Sequence, residues 1–314
     1  MAKQLTIGFA GTPEIAATVL RNILANGIQV KLVLTQMDRP AGRGMKLTPS
    51  AVKNLAVEHN IEVFQPEKLR GNLDALDKIS AAHVDLWVVV AYGLIVPQEF
   101  LDSAPLGAVN IHVSLLPYLR GAAPIQRAIL NGDSETGVTI MQMDRGLDTG
   151  DILYQKNCVI TDTDTSASLH DKLAIMGSDM IVEFLGNHDK YILIKQNDSL
   201  STYAAKLTKE EAAINWNDEA GVISRKVRGY NPYPIAHTKL NKVLLKIWQA
   251  QVISGTHHSK AGTILQVDDN QIIVACGNNT KLHITELQLA GSKRMFVRDF
   301  VVSRHDLVGC VLGE

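Results

Sequence analysis

A continuous apolar run at residues 86–91, Leu-Trp-Val-Val-Val-Ala, constrains the fold of this chain more than any other feature. The run is far shorter than the roughly 20 apolar residues of a membrane helix. Its length and its β-branched residues suit a strand that is covered on both faces, as in a parallel sheet. The run therefore predicts a central strand of an α/β sheet.

Strand and helix patterns alternate around this run. Short runs of β-formers predict strands at 5–9, 30–35, 108–112 and 138–143, and an edge strand at 152–160. Helical patterns between them predict helices at 13–25, 49–59, 72–80, 124–131 and 166–185. We expect Thr12 to cap the first helix and Asn26-Gly27 to end it. The alternation predicts an α/β domain at 1–189 with a doubly wound, Rossmann-like parallel sheet.

The pattern changes after residue 189. Residues 190–207 are polar and irregular, which predicts a linker. Beyond it a helical pattern at 218–229 precedes short strand patterns separated by turn residues, at 236–240, 243–250, 263–267, 272–275 and 281–289. Short strands spaced so closely predict a small OB-like β-barrel domain at 208–314.

Composition restricts the setting and the partners. The chain has 314 residues, 46% hydrophobic and 20% charged, as expected for a soluble globular protein. Its three cysteines, Cys158, Cys276 and Cys310, are scattered and fit no metal-binding spacing, so we expect a cytoplasmic protein without a metal. From Lys206 onward there are 14 Lys and Arg against 10 Asp and Glu, a net charge of +4. This basic second half suits either a polyanionic partner or an ordinary solvated surface.

Asn110 and His112 lie two residues apart in the predicted strand at 108–112. Alternate side chains of a strand point to the same face, and the strand pattern breaks at Ser114. The pair should therefore lie near the carboxyl end of its strand, where open α/β sheets bind ligands. An amide and an imidazole can together stabilise an oxyanion and carry a proton. Alternatively, both side chains bond to neighbouring backbone.

Two loops carry further ionisable residues. The segment 35–50 contains Arg39, Arg43 and Lys46 against Asp38, with glycines and prolines between them. A loop of this length and charge predicts a clamp for a phosphate-rich substrate, the alternative being an idle flexible loop. In the segment 143–151, a carboxylate could lie beside His112 and fix the tautomer of its imidazole, although turn chemistry alone also explains the Asp and Gly residues.

These segments, taken in order, closely resemble the methionyl-tRNA formyltransferase family over essentially the whole chain. The best-matching stretches are Arg-Pro-Ala-Gly-Arg-Gly at 39–44, Val-Val-Val-Ala-Tyr-Gly-Leu-Ile at 88–95, Ser-Leu-Leu-Pro at 114–117, Arg-Gly-Ala-Ala-Pro-Ile-Gln-Arg at 120–127 and Gly-Val-Thr-Ile-Met-Gln-Met-Asp at 137–144. The resemblance implies transfer of the formyl group of 10-formyltetrahydrofolate to the α-amine of methionyl initiator tRNA, for translation initiation. It implies no metal, and we expect a monomer.

The resemblance also implies roles for individual residues. The catalytic trio would be Asn110, His112 and Asp148. Folate would contact Ser114, Leu115, Leu116, Pro117, Val90, Tyr92, Gly93, Ile95 and Asp144. The tRNA would contact Arg39, Arg43, Lys46, Lys206 and Lys209. Two positions depart from the family pattern: Val113 stands where many relatives have Gly or Pro, and Met45 where Lys is common.

Other functions remain open on the sequence. An amino-sugar-nucleotide formyltransferase or a 10-formyltetrahydrofolate hydrolase domain would resemble the same first half, but the basic segment at 38–49 favours tRNA. A glycinamide ribonucleotide formyltransferase would normally lack the second domain. A non-enzymatic RNA-binding protein would leave Asn110, His112 and Asp148 unexplained, and the barrel lacks a dense run of aromatic residues for base stacking.

Overall fold

The computed structural model describes residues 5–41, 44–302, 304 and 306–314. These residues form two compact units, and each unit collects several stretches of the chain. Unit 1 comprises Met1–Pro124, Glu135–Val159 and His170–Ala204, and unit 2 comprises Ile125–Ser134, Ile160–Leu169 and Ala205–Glu314.

The longer elements follow each other in the predicted alternation. The strands are β1 (Thr6–Gly11), β2 (Gln29–Leu34), β3 (Arg39–Ala41), β4 (Lys46–Thr48), β5 (Glu62–Phe64), β6 (Leu86–Val90), β7 (Ala108–His112), β8 (Arg120–Gly121), β9 (Glu135–Gln142), β10 (Ile152–Val159), β11 (Tyr203–Ala204), β12 (His237–Leu240), β13 (Val243–Ile253), β14 (Ile264–Asp268), β15 (Gln271–Ala275), β16 (Lys281–Leu289) and β17 (Met295–Phe296). The helices are α1 (Glu14–Ala25), α2 (Ala51–Glu58), α3 (Leu73–Ser80), α4 (Gln98–Leu101), α5 (Pro124–Asn131), α6 (Ser166–Gly186), α7 (Ala220–Gly229) and α8 (Val297–Val301). The sequence did not predict the short elements β3, β4, β5, β8, β11, β17, α4 and α8.

The described part of unit 1 contains a seven-stranded sheet in the order β10-β9-β7-β6-β1-β2-β5. Strand β6, the apolar run, is the middle strand, and all five of its residues are buried. Strands β7, β6, β1, β2 and β5 are parallel, whereas β9 pairs antiparallel with β7 and β10 pairs antiparallel with β9. The predicted α/β class is confirmed, and β10 is an edge strand as expected. Because β1, β2, β6 and β7 run parallel, their carboxyl ends lie at the same edge of the sheet.

The end of α1 at Asn26-Gly27 is confirmed, because the helix ends at Ala25 with Asn26 as its C-cap. Pro13 precedes α1, and no side chain caps this helix, so the prediction for Thr12 is wrong. The Thr12 hydroxyl instead donates to the Tyr92 carbonyl oxygen at 2.8 Å, a tertiary acceptor that the local sequence does not reveal. Ser50 caps α2, because its side-chain oxygen accepts a hydrogen bond from the backbone N–H of Lys53. Serine is one of the residues preferred at this position.

The basic segment after β2 forms a hairpin, whereas the sequence predicted a loop. Strands β3 and β4 pair antiparallel, with Arg39 opposite Thr48. At the base of the hairpin Asp38 accepts hydrogen bonds from Lys53 Nζ at 2.7 Å and Gln65 Nε2 at 2.8 Å. The Lys53 and Gln65 hydrogen bonds lower the pKa of the Asp38 carboxyl. The acidic side chain of this segment is therefore already paired.

Unit 2 is built on an antiparallel sheet in the order β12-β13-β16-β15-β14, with β17 paired to β16. Helix α7 packs on β13, and buried side chains fill the unit, among them Trp216, Ile247, Leu282 and Phe300. This antiparallel domain confirms the second half of the predicted fold class.

No helix within the described ranges has the length and apolar content needed to span a membrane. In the same ranges no group of three or more His, Cys, Asp or Glu side chains is placed to hold a metal ion.

Gly8 in β1 allows the ring of Trp87 to lie against the strand backbone. A Cβ atom at position 8 would lie 2.3 Å from Cζ3 of Trp87. The ring cannot move aside easily, because it is fully buried against Phe100 and its Nε1 donates to Ser103 Oγ at 3.0 Å.

We expect Gly8→Ala to lower the free energy of unfolding by about 1–3 kcal/mol, since overpacking forces side chains and backbone to shift. Urea unfolding monitored by circular dichroism measures the change. Gly186→Ala is the matched control, because nothing lies within 4 Å of its added methyl group. Equal unfolding midpoints for the two variants would contradict the packing argument.

Candidate active site

Asn110 and His112 are the third and the last residue of the five-residue strand β7, near its carboxyl end as the sequence predicted. Asn110 pairs with Val89 of β6, and His112 pairs with Thr139 of β9. The strand ends at His112, after which the chain bends through Ser114. Alternation along β7 puts the two side chains on one face. His112 is buried and Asn110 is half-buried.

The orientation of the His112 ring is fixed by a backbone group. Nε2 lies 3.0 Å from the carbonyl oxygen of Leu119. A carbonyl oxygen can only accept, so Nε2 carries a proton and Nδ1 is the nitrogen that can gain or lose one. Leu119 has a left-handed backbone, with φ of 58°, and its N–H donates to Thr202 Oγ1 at 2.8 Å.

Asp148 reaches His112 from the loop between β9 and β10. Its Oδ2 lies 3.7 Å from His112 Nδ1, too far for a hydrogen bond but close enough to stabilise positive charge on the ring. The same oxygen accepts from the Gly121 N–H at 2.8 Å. Asp148 also has a left-handed backbone, with φ of 55°. Such residues concentrate at functional sites, where the surroundings hold them in place.

The Asn110 side chain differs from that of His112 in its partners. No side-chain hydrogen bond joins Asn110 to another residue of the described part of the chain. Its amide group therefore keeps both N–H donors for a ligand. This argues against the alternative in which backbone bonding alone accounts for Asn110.

A cavity of about 480 Å³ lies beside Asp148. One wall is the segment after β6, with Gly93 and Ile95, and the other is the loop after β9, with Met143 and Leu147. Asp144 adds a carboxylate to this mostly apolar lining. The size and the combination of apolar walls with few polar groups are typical of a small-molecule site.

The residues expected to contact folate divide into two groups in the structure. Gly93, Ile95 and Asp144 line the cavity, whereas Val90 and Tyr92 are buried in the sheet and the core beneath it. The hydroxyl of Tyr92 is buried and has no hydrogen-bond partner within the described ranges. Burial raises the pKa of this hydroxyl.

The turn at residues 114–117 is held from behind by two side chains. Thr139 Oγ1 donates to the Ser114 carbonyl oxygen at 2.7 Å and accepts from the Leu116 N–H at 3.1 Å. Gln155 Nε2 donates to the Leu116 carbonyl oxygen at 2.8 Å. The Ser114 hydroxyl donates to the carbonyl oxygen of Tyr118 at 2.6 Å. Leu115 and Pro117 are half-buried, and none of these four turn residues is among those that line the cavity.

The cations predicted to contact tRNA lie in both units. Arg39 and Lys46 are exposed on the hairpin of unit 1, and Lys206 and Lys209 are exposed in unit 2. Arg43 lies outside the described residues. Of the two departures from the family pattern, Met45 is exposed beside the hairpin strands and Val113 is half-buried.

Sequence reasoning missed one residue that contacts the Asp148 turn, Gln196, and a second, Arg120, that holds Gln196. Gln196 is buried and donates to backbone carbonyl oxygens of this turn, and Arg120 binds the other end of its amide. Gln196 lies in the polar segment predicted to be a linker, most of which the structure places in unit 1. No local pattern distinguished this glutamine from its neighbours.

The chain matches proteins of known activity along its length. The formyl transferase family model matches residues 4–185, and the model of the formyl transferase C-terminal domain matches residues 206–305. A methionyl-tRNA formyltransferase of Chromobacterium violaceum is 50% identical over 305 residues, which cover 97% of this chain and 98% of that protein. One of Pseudoalteromonas translucida is 47% identical over 320 residues, 100% of this chain and 99% of that protein.

Solved structures show the same fold. The crystal structure of a sugar 3N-formyl transferase in the presence of dTDP and 5-N-formyl-THF matches with a TM-score of 0.66 and 20% identity. The match covers 93% of this chain and 100% of that one. The chain therefore belongs to the formyl transferase family, and within it to the methionyl-tRNA formyltransferases.

Proposed function

We propose that this protein transfers the formyl group of 10-formyltetrahydrofolate to the α-amine of methionyl initiator tRNA. The observation that carries the proposal is the placement of His112 Nδ1 beside the Asp148 carboxylate, next to a ligand-sized cavity. The free amide of Asn110 lies on the same strand face. Membership of the family indicates the reaction, and the side chains of Asn110, His112 and Asp148 are chemically suited to it.

The cavity suits the ring system of the folate. Its apolar walls at Ile95 and Leu147 would cover the faces of a flat ring, and Asp144 would bond to polar groups at the ring edge. Val90 and Tyr92 would support the wall from within the core, and the turn at 114–117 would contact the remainder of the molecule. The bound folate supplies an activated formyl carbon.

Asn110 and His112 would stabilise the charge that develops during transfer. When the methionine amine attacks the formyl carbon, the new C–N bond forms and negative charge develops on the formyl oxygen. The amide N–H of Asn110 and a proton on His112 Nδ1 can donate to this oxygen. Because Leu119 already holds Nε2, Nδ1 is the imidazole nitrogen that remains for this role.

Asp148 would stabilise the protonated imidazole and accept the amine proton through a water molecule. The C–N bond to the folate then breaks, and tetrahydrofolate leaves with a proton in place of the formyl group. A free α-amine has a reference pKa of roughly 7.7–8.0, so an appreciable fraction is neutral at physiological pH. No covalent nucleophile is needed for this route.

The exposed cations Arg39, Lys46, Lys206 and Lys209 would contact phosphates of the tRNA. Asp38 does not cancel the hairpin charge, because it is paired with Lys53. We further propose that the protein works as a cytoplasmic monomer, where its three separate thiols stay reduced. Light scattering coupled to size-exclusion chromatography measures the mass directly.

We expect Lys206→Ala combined with Lys209→Ala to weaken tRNA binding and to reduce the slope of log Kobs against log salt by about 2, since each phosphate contact contributes about 1. Filter binding at several salt concentrations measures the slope. Lys260→Ala is the control, because this exposed lysine is already paired with Glu314. An unchanged slope in the double variant would remove both lysines from the interface.

Tetrahydrofolate release with and without methionyl-tRNA tests the proposed reaction. We expect tetrahydrofolate to form only when methionyl-tRNA is present, in equal amount to the formylated product. A 10-formyltetrahydrofolate hydrolase would instead release tetrahydrofolate and formate without an acceptor. Acceptor-independent turnover at the same rate would contradict the proposal.

A further inference from the structure

We infer that Gln196 is a positioning residue for Asp148 and that Arg120 fixes the orientation of its amide; this inference rests on the proposed function. Gln196 is 5% exposed. Its Nε2 donates to the carbonyl oxygens of Asp148, at 2.9 Å, and Gly150, at 2.7 Å. One amide group therefore bonds to both ends of the three-residue turn that presents the Asp148 carboxylate.

Arg120 determines which end of the amide faces the turn. Its Nε and Nη2 donate to Gln196 Oε1 at 3.0 and 2.8 Å. A guanidinium has only donors, so it can bind only the oxygen end of the amide. The nitrogen end must then face the carbonyl oxygens of Asp148 and Gly150, and a flipped amide would place like groups together at both ends.

The backbone of Asp148 gains from such support because it is left-handed. Asp148 has a φ of 55°, which Asp adopts more readily than most residues with a Cβ atom but which is held in place by its surroundings at functional sites. The segment that carries Gln196 is itself held against β10, because Ile152 and Ile194 exchange two backbone hydrogen bonds of 2.8 Å. Gln196 is thus presented to the turn by a fixed backbone.

The same network reaches both proposed catalytic side chains. Both neighbours of Arg120 in the chain contact these side chains. The carbonyl oxygen of Leu119 accepts from His112 Nε2, and the N–H of Gly121 donates to Asp148 Oδ2. The Arg120–Gln196 hydrogen bonds therefore join the backbone of Asp148 to the segment that orients the side chains of His112 and Asp148. This connection sets the separation of 3.7 Å between them.

Loss of the Gln196 amide should affect catalysis and leave folate binding intact. Gln196 is not among the residues that line the cavity. Without its two donors the turn can relax, and the carboxylate of Asp148 moves relative to His112. A displacement of about 1 Å within a reacting constellation can lower a rate by about 100-fold.

Gln196→Met keeps the size of the side chain and removes its hydrogen bonds. We expect its kcat to fall about 100-fold, with the KM for 10-formyltetrahydrofolate within about threefold of the unmodified protein. Gln196→Glu is the second variant, because it keeps an acceptor for Arg120 but loses both donors, and we expect a similar fall. Gln29→Met is the matched control on the exposed start of β2, with unchanged kinetics.

A double-mutant cycle with Asp148→Asn separates positioning from general destabilisation. If Gln196 acts through the Asp148 carboxylate, adding Gln196→Met to Asp148→Asn should change kcat by less than about twofold. If the losses of kcat from the two substitutions multiply in the double variant, the inference about Gln196 is overturned. Unchanged kcat in both Gln196 variants would overturn it too. Either result would leave the proposed function standing. Full activity of Asp148→Asn would instead overturn the role of Asp148 in the proposed function.

Discussion

Asn110→Ala is expected to lower kcat for methionyl-tRNA formylation by about 10²–10³-fold, the usual effect of removing one donor to an oxyanion. The amide makes no side-chain hydrogen bond within the described part of the chain, so its removal should leave the fold intact. Single-turnover formylation with saturating substrates measures the chemical step. Folate affinity, followed by protein fluorescence, should change little, because the amide acts mainly on the transition state.

Asn157→Ala serves as the matched control for this variant. Asn157 lies on the exposed edge strand β10, where its amide donates to Glu135 Oε2 at 3.1 Å. We expect it to keep the kcat of the unmodified protein. A kcat for Asn110→Ala equal to that of Asn157→Ala would show that Asn110 does not stabilise the reacting oxygen.

Asp148→Asn is expected to lower kcat by about 10³-fold or more, with a small effect on stability. Asparagine keeps an oxygen that can accept from the Gly121 N–H, and it tolerates the left-handed backbone. The variant loses the negative charge that stabilises a protonated His112 and the group that accepts the amine proton.

Asp102→Asn, at an exposed carboxylate after α4, is the control for removal of one negative charge. It should keep full activity. Urea unfolding of both variants, together with rapid-quench formylation, separates folding from chemistry. Turnover by Asp148→Asn within tenfold of the Asp102→Asn control would remove Asp148 from the proton pathway.

Local sequence pattern predicted the elements that build the site. Strand β7 and helix α5 have the predicted bounds, because β7 is a short run of β-formers with a clear break and α5 begins at a proline. The apolar run at 86–91 correctly predicted the middle of the sheet, since burial on both faces requires such a run. Backbone propensity and burial were sufficient for these elements.

The contacts that complete the site could not be predicted locally. Gln196 bonds to Asp148 across 48 positions and to Arg120 across 76, and no periodic pattern encodes such pairings. Thr12 was expected to cap a helix, but its hydroxyl donates to the carbonyl oxygen of Tyr92, 80 positions along the chain. The hairpin of β3 and β4 was missed because its strands are only three residues long. In each case the hydrogen bond or strand pairing depends on the tertiary fold and not on the local sequence.

The choice of acceptor distinguishes formylation of methionyl-tRNA from formylation of an amino-sugar nucleotide. The purified protein is offered 10-formyltetrahydrofolate labelled in the formyl group, with methionyl initiator tRNA in one reaction and an amino-sugar nucleotide in another. We predict label in methionyl-tRNA, recovered as formylmethionine after hydrolysis, and none in the sugar nucleotide. Label in the sugar nucleotide with none in methionyl-tRNA would show that tRNA is not the acceptor.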